Sequence, residues 1–283
     1  MANISEILKK AAEILLRSGI AEPRREANSL LAFALQKDRT FLITRNDYEL
    51  SGDEEARFQA VLERRARREP LQYITGRQEF YGLDFVVSPD VLIPRPETEM
   101  IVENAVEILK TRENARFCEI GTGSGCISIS ILYHAKTASA IGLDVSGKAL
   151  EITKKNAQNH KLLERLELKV SDVFSALTDE KFDLIVSNPP YIPRPDIEKL
   201  QPEVRDFEPL SALTDGAGGL SIIERIESGA PRFLKAEGFL LMEIGFGQAE
   251  EVKNLFETKI WERVEILPDL QGIARTVRAR RRN

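Results

Sequence analysis

Late in the chain, Asn188-Pro189-Pro190-Tyr191 combines an amide side chain, two prolines and an aromatic ring in four consecutive positions. Neither proline has a backbone N–H to donate, so the carbonyls around them are left bare. Each proline also drives the residue before it out of the helical region, so the stretch runs extended and forms a rigid rim of hydrogen-bond acceptors. Taken alone, the same residues also read as a Pro-Pro strand terminator with an incidental Asn and Tyr. A second candidate lies upstream in Glu119-Ile120-Gly121-Thr122-Gly123-Ser124-Gly125, where the glycines allow a ligand close to the backbone. Its spacing departs from the dinucleotide fingerprint, because Cys126 stands where the third glycine belongs and that glycine falls one residue early. NAD and FAD are therefore disfavoured, and with no lysine after the turn this is not a phosphate-gripping loop either. Asp144 can accept hydrogen bonds from both hydroxyls of a ribose, and Asp172 can accept from an exocyclic adenine amine.

These residues need a scaffold that brings them together. Leu184 to Val186 is apolar and β-branched without alternation, as in a buried strand of a parallel sheet, and Pro189-Pro190 ends it. Phe117 to Ile120 is a short strand, and its glycine turn leads into an apolar helical run from Cys126. Further strands, Ala140 to Asp144 and Leu166 to Val170, end in Asp144 and in Ser171-Asp172-Val173. Successive strands ending in the glycine turn, Asp144, Asp172 and Asn188 form a crevice, since ligands of open parallel sheets sit outside the carboxyl ends of the strands. Phe239 to Ile244 is another buried strand, and Val264 to Leu267 with Ala274 to Arg278 complete about seven. Asp215 to Gly219 reads as a flexible loop that could close over a substrate, or as a plain surface connection.

The first part of the chain has a different pattern. Ile4, Ile7, Leu8, Ala11, Ile14 and Leu15 recur at helical spacing before Gly19; a second helix opens at Pro23, and a third starts near Asp53. The expected organisation is a helical bundle over 1–75, a β-hairpin linker over 76–92 and a sheet domain over 93–283. Arg64, Arg65, Arg67 and Arg68 read as a solvated cluster suited to a helix C-terminus, with an acidic or RNA-bearing partner as the alternative. The basic tail Arg278 to Arg282 also reads as solvated.

Composition narrows the function. A chain of 283 residues can bury a large core, and its formal net charge of −5 argues against a protein whose main task is neutralising nucleic-acid phosphates. No apolar run approaches a membrane span, and Met1 to Lys10 lacks a signal-peptide core, so a cytoplasmic protein is expected. Cys118 and Cys126 lack metal-ligand spacing and read as small buried residues; no metal is expected. His134 and His160, in the helices after the first two strands, read as structural.

On Glu119 to Gly125, Asp144 and Asn188-Pro189-Pro190-Tyr191 the chain resembles the class I S-adenosylmethionine-dependent methyltransferases that methylate planar nitrogens. Glu69 to Gly76, Leu92-Ile93-Pro94-Arg95-Pro96-Glu97-Thr98-Glu99 and Phe207-Glu208-Pro209-Leu210-Ser211-Ala212-Leu213 resemble, within that group, the peptide chain release factor glutamine methyltransferases. The resemblance implies an α/β fold, a Rossmann-like, mostly parallel seven-stranded sheet whose last strand is antiparallel, with a small N-terminal helical bundle that recognises substrate. It implies S-adenosyl-L-methionine bound by Glu119, Gly121, Thr122, Gly123, Ser124, Gly125, Asp144, Asp172, Val173 and Asn188, with S-adenosyl-L-homocysteine as product. Where the family often has an aromatic beside the adenine, this chain has Val173. Catalysis would fall to Asn188, Pro189 and Tyr191, and the substrate would meet Arg95, Pro96, Glu97 and Asn188 to Tyr191. The partner implied is a class 1 release factor carrying the glutamine, met by a monomer without direct nucleic-acid contact. The alternative is an adenine or guanine amino methyltransferase using the same Asn-Pro-Pro-Tyr motif.

Overall fold

The structure is a computed structural model that describes residues 3–283. The chain divides into two compact units, one comprising residues up to Arg77 together with Gln201–Phe207, the other Gln78–Leu200 with Glu208–Asn283.

The helical unit contains α1 (Ile4–Arg17), α2 (Pro23–Leu35), α3 (Arg39–Thr44), α4 (Gly52–Ala66) and α5 (Leu71–Thr75). Asn3 caps α1 through a reciprocal box with Glu6, and Gly19 lies just past its end at φ +76°, the left-handed position glycine takes without strain. Apolar positions at helical spacing, among them Ile4, Leu15, Leu30, Leu31, Phe58 and Leu62, form its buried core. Of the four arginines at the end of α4 only Arg67 is exposed; the other three are engaged in ion pairs. Arg65 is buried and pairs with Glu26 and with Glu203 (3.1 Å), Arg68 pairs with Glu203 (2.6 Å) and donates to the carbonyls of Ser18 and Gly19, and Arg64 pairs with Glu69. Glu203 comes from the segment Gln201–Phe207, so an acid more than a hundred residues away in sequence satisfies charges that helix-local reasoning assigns to water.

The second unit opens on a hairpin, β1 (Arg77–Phe80) and β2 (Leu83–Val86), whose two turn residues Tyr81 and Gly82 both have positive φ, as a type I′ turn requires. After α6 (Glu99–Leu109) come β3 (Arg116–Ile120), α7 (Cys126–His134), β4 (Ser139–Asp144), α8 (Gly147–Asn159), β5 (Leu166–Val170) and β6 (Phe182–Ser187). The short helices α9 (Pro202–Phe207), which belongs to the helical unit, and α10 (Leu210–Leu213) precede α11 (Ser221–Phe233), β7 (Leu234–Glu243), α12 (Ala249–Leu255), β8 (Trp261–Pro268) and β9 (Ala274–Arg281). The seven-stranded sheet has the order β5-β4-β3-β6-β7-β9-β8, with β9 antiparallel to both neighbours. Every residue of β6 is buried, in keeping with its central place and its continuous apolar run. Most of the basic tail is strand: Arg278 to Arg281 belong to β9, where Arg278 meets Glu265 and Asn104 and Arg280 meets Glu237 and Glu262, and only Arg282 beyond it is exposed. Cys118 and Cys126 are free and buried. Among the described residues no helix is long and apolar enough to cross a membrane.

Strand register brings the candidate residues to one level. Leu143, Ile120, Ser187 and Met242 lie side by side across β4, β3, β6 and β7, so the next residue on each strand, Asp144, Gly121, Asn188 and Glu243, stands at the carboxyl edge. Between β3 and β6 the winding of the sheet reverses direction, which is where open α/β sheets bind ligands.

Candidate active site

A cavity of about 310 Å³ opens at this edge. It is lined by Glu119 near the end of β3, by Gly121, Thr122, Gly123 and Ser124 from the β3–α7 turn, by Asp144, by Asp172 and Val173, and by Asn188, Pro189 and Pro190 after β6. Arg95 and Thr98 line it from the segment before α6, and Pro209, Ser211 and Ala212 from α10 and its approach. Gly121 and Gly123 hold φ of +72° and +57°; their amides are committed to the Leu143 carbonyl and to Asp144, so what these glycines offer a ligand is the space a side chain would fill. Gly125 does not line the cavity: a Cβ there would stand 2.7 Å from a Thr153 methyl, so this glycine lets α8 pack against the turn.

The cavity is rich in carboxylates. Burial pushes the Glu119 carboxyl up to about 8; its Oε2 accepts from the Ser128 amide, and its Oε1 is buried without a hydrogen-bond partner. Burial also raises Asp144, although its oxygens accept from the Gly123 amide (2.8 Å) and the Ser146 amide (2.9 Å). Asp172 is exposed and pairs through one oxygen with Arg225 (2.8 Å). Val173 has φ +52°, a costly conformation for a β-branched side chain. Bonds from the Ser171 hydroxyl to the Val173 carbonyl and from the Asp172 amide to the Ser175 hydroxyl hold it there. A lining of acids, a glycine turn clear of side chains and one orphaned buried oxygen fits a cationic ligand that also carries hydroxyls and an amine.

Asn188 belongs to a hydrogen-bonded chain behind the rim. Its Nδ2 donates to the Thr98 hydroxyl (3.0 Å), Thr98 donates to Glu243 Oε2 (2.6 Å), and the Tyr191 hydroxyl donates to Glu243 Oε1 (3.0 Å). Glu243 is buried and its carboxyl is raised, by burial above all. Burial also lifts the Tyr191 phenol, with the Glu243 charge adding to it. Tyr191 therefore lies behind the cavity wall, its ring against the core beneath the sheet edge and its backbone carbonyl accepting from Gln248 (3.0 Å). Pro96 and Glu97 are exposed in a short 3-10 turn and do not line the cavity, whereas Arg95 does, held by the buried Glu208 at 2.6 Å. Thr98 and Glu243 tie Asn188 to Tyr191 through this chain, and reading the Asn-Pro-Pro-Tyr motif alone passes over them. Glu243 does carry a signal, being a lone acid at the end of the apolar strand run from Phe239, the same logic that singles out Asp144.

Asp215 to Gly219 is not a loose flap. The Asp215 carboxylate accepts from the amides of Ala217, Gly219 and Ser221 and from the Ser221 hydroxyl, and Arg194 donates to the Ala217 carbonyl. A Cβ on Gly219 would stand 2.2 Å from the Tyr191 carbonyl oxygen, so the loop is wedged against the backbone of the rim.

Comparison with known proteins shows what the chain is similar to. The family model "PrmC N-terminal domain" matches residues 6–76 and "Methyltransferase small domain" matches 99–200. A release factor glutamine methyltransferase of Koribacter versatilis (strain Ellin345) is 40% identical over 279 residues, 98% of each chain. Another, of Geobacter sulfurreducens, is 42% identical over 277 residues, 98% of this chain and 96% of the relative. Among solved structures, the hMettl16 catalytic domain in complex with MAT2A 3'UTR hairpin 6 superposes with a TM-score of 0.59 at 16% identity, covering 76% of this chain and 80% of that one, a likeness of fold.

Proposed function

Because the chain belongs to the release factor glutamine methyltransferase family, we propose that it moves a methyl group from S-adenosyl-L-methionine to the side-chain amide nitrogen of a glutamine in a peptide chain release factor, leaving S-adenosyl-L-homocysteine. The observation that carries this reading is that Asn188, Pro189 and Pro190 line one cavity with the glycine turn and Asp144, at the same sheet edge. When bound, S-adenosylmethionine supplies a methyl already activated by its sulfonium.

The residues present suit that cofactor. Asp144 would accept from the ribose hydroxyls with the lone pairs its two amide partners leave free, and the unpartnered Oε1 of Glu119 would take the ammonium of the amino-acid moiety. Val173 and Asp172 would frame the adenine, and the strain at Val173 supports a functional reason for holding that side chain against the cavity. Carboxylates lining the cavity favour a cationic ligand.

A carboxamide nitrogen is a poor nucleophile because its lone pair is delocalised into the carbonyl, so the chain's task is orientation. Asn188 Oδ1 and the Pro189 carbonyl would each accept one N–H of the glutamine amide, aim its nitrogen, and stabilise the positive charge that develops there. Positioning of this kind can lower a barrier by about 7–11 kcal/mol. The same acceptors reject glutamate, whose carboxylate has no proton to offer and would leave them unpaired at a cost of about 1–3 kcal/mol each. Tyr191 would act from behind the wall by fixing the rim, and residues 1–75 would recognise the release factor, a role supported by the match of 6–76 to the family's N-terminal domain.

The test is incubation with labelled cofactor and either a release factor or structured RNA, followed by mass spectrometry. Transfer to a glutamine is expected; transfer only to RNA overturns the reading. Asn188→Ala is expected to bind S-adenosylmethionine within about threefold of the wild type while losing at least about 100-fold in kcat.

A further inference from the structure

We propose that Thr98 and Glu243 are positioning residues that decide which end of the Asn188 amide faces the cavity, and so select an N–H-bearing substrate, an inference that rests on the function proposed above.

The two ends of an asparagine amide have nearly the same shape, and only the hydrogen-bond network distinguishes the acceptor from the donor. Here the network has one consistent reading when Glu243 is ionised. A carboxylate only accepts, so the single proton of the Thr98 hydroxyl is committed to Glu243 Oε2 at 2.6 Å, and the Tyr191 proton to Oε1 at 3.0 Å. Thr98 Oγ1 then has only lone pairs to offer Asn188, and the atom 3.0 Å away must be the amide nitrogen. Asn188 Oδ1 is left to face the cavity as an acceptor.

Protonating Glu243 on Oε2 reverses the chain. The acid would donate to Thr98, the Thr98 hydroxyl would turn its proton to Asn188, and the amide would present its NH2 to the cavity, where it repels an N–H donor. Burial pushes the Glu243 carboxyl upward; the hydroxyls of Thr98 and Tyr191 and the charge of Arg275 work against that, and Glu97 works with it. Turnover therefore requires the ionised form and declines as pH falls through the raised value. The amide introduced by Glu243→Gln would behave differently: with its oxygen toward Thr98 the chain keeps its direction and with its NH2 toward Thr98 it reverses, but with no proton to lose or gain neither arrangement responds to pH.

The experiment compares full-length wild type, Thr98→Val, Thr98→Ser, Glu243→Gln and Asn188→Ala by kcat and KM on a release factor, with S-adenosylmethionine affinity by calorimetry as the control for a folded site. Thr98→Val, which keeps shape and removes the hydroxyl, is expected to lower kcat about 100-fold with cofactor affinity within about threefold, and Thr98→Ser to recover most of the loss. Glu243→Gln is expected to remove the acid limb of the kcat profile. A loss below about tenfold in a cofactor-binding Thr98→Val, or an acid limb unchanged in Glu243→Gln, overturns the relay. Should Thr98→Val fail to bind cofactor, the Glu243→Gln profile decides alone. Asn188→Ala separates the two ideas: if it keeps turnover, the reading of the site falls, and if it loses turnover while Thr98→Val does not, only the relay falls.

Discussion

At the scale of single residues, Glu119 carries two opposed demands. Its carboxyl lies in a dry turn, raised by burial from an ordinary 4.5 to about 8, because its one amide bond does not replace the water it lost. A raised acid contributes stability that is fully present below the ordinary value and lost as pH rises through the folded one. The unliganded protein should therefore lose thermal stability between pH 4.5 and about 8. Glu119→Gln should lose less over the same span in scanning calorimetry, and a slope equal to the wild type's would refute the assignment. The same substitution is expected to weaken S-adenosylmethionine binding at least about tenfold in titration calorimetry, since an amide cannot pair with the ammonium as a carboxylate does. Stability and binding would move in opposite directions, as at many sites built for a ligand.

Among the elements, β6 is the strand on which the others are registered, and it is anchored at the end away from the cavity. Asp183 accepts there from the Arg116 amide (2.8 Å), Lys235 (2.8 Å) and Arg112 (3.1 Å), and although burial alone would raise it, these partners hold the carboxyl below its ordinary value. Asp183→Ala leaves Lys235 and the Arg116 amide without this acceptor, while Arg112 keeps the Glu237 carbonyl. Because both cations reach solvent, it is expected to cost about 2 kcal/mol in denaturant unfolding, and a loss under about 0.5 kcal/mol would show that the anchor is dispensable. The core of this strand is plain in the pattern Leu184 to Val186, and so are the turn, Asp144 and Asn188, because each is signalled by neighbours a few positions away. The link from Thr98 to Glu243 is not, since it joins residues 145 apart: Thr98 lies in the Leu92 to Glu99 stretch with no sign of its partner, and Glu243 lies in no motif. The Arg278 to Arg282 tail misleads for a related reason. Charge-rich strands look solvated until their partners, here Glu265, Glu237 and Glu262, are brought alongside by the sheet.

Across the whole molecule, the helical unit is not one continuous stretch of chain. Gln201–Phe207 leaves the sheet unit to join it, and Glu203 supplies a carboxylate to both Arg65 and Arg68. A linear pattern cannot show this, since residues 201–207 are flanked on both sides by the sheet unit. Removing Glu203 leaves the buried Arg65 guanidinium with Glu26 as its one carboxylate and the Glu69 carbonyl as a neutral acceptor. Glu203→Ala should speed amide hydrogen exchange across 201–207 at least about tenfold and leave β6 protected. Unchanged exchange there would mean that apolar packing alone holds the segment.

Gly219 touches neither the cavity nor any side chain assigned to the chemistry, yet a Cβ at this position would overlap the Tyr191 carbonyl oxygen. In a library randomised around the site and screened for turnover, position 219 should return as glycine alone, and a map of contacts to bound ligands would never explain why. The contribution of that residue is an empty volume, kept clear so that the backbone of the rim can lie where the amide must be met.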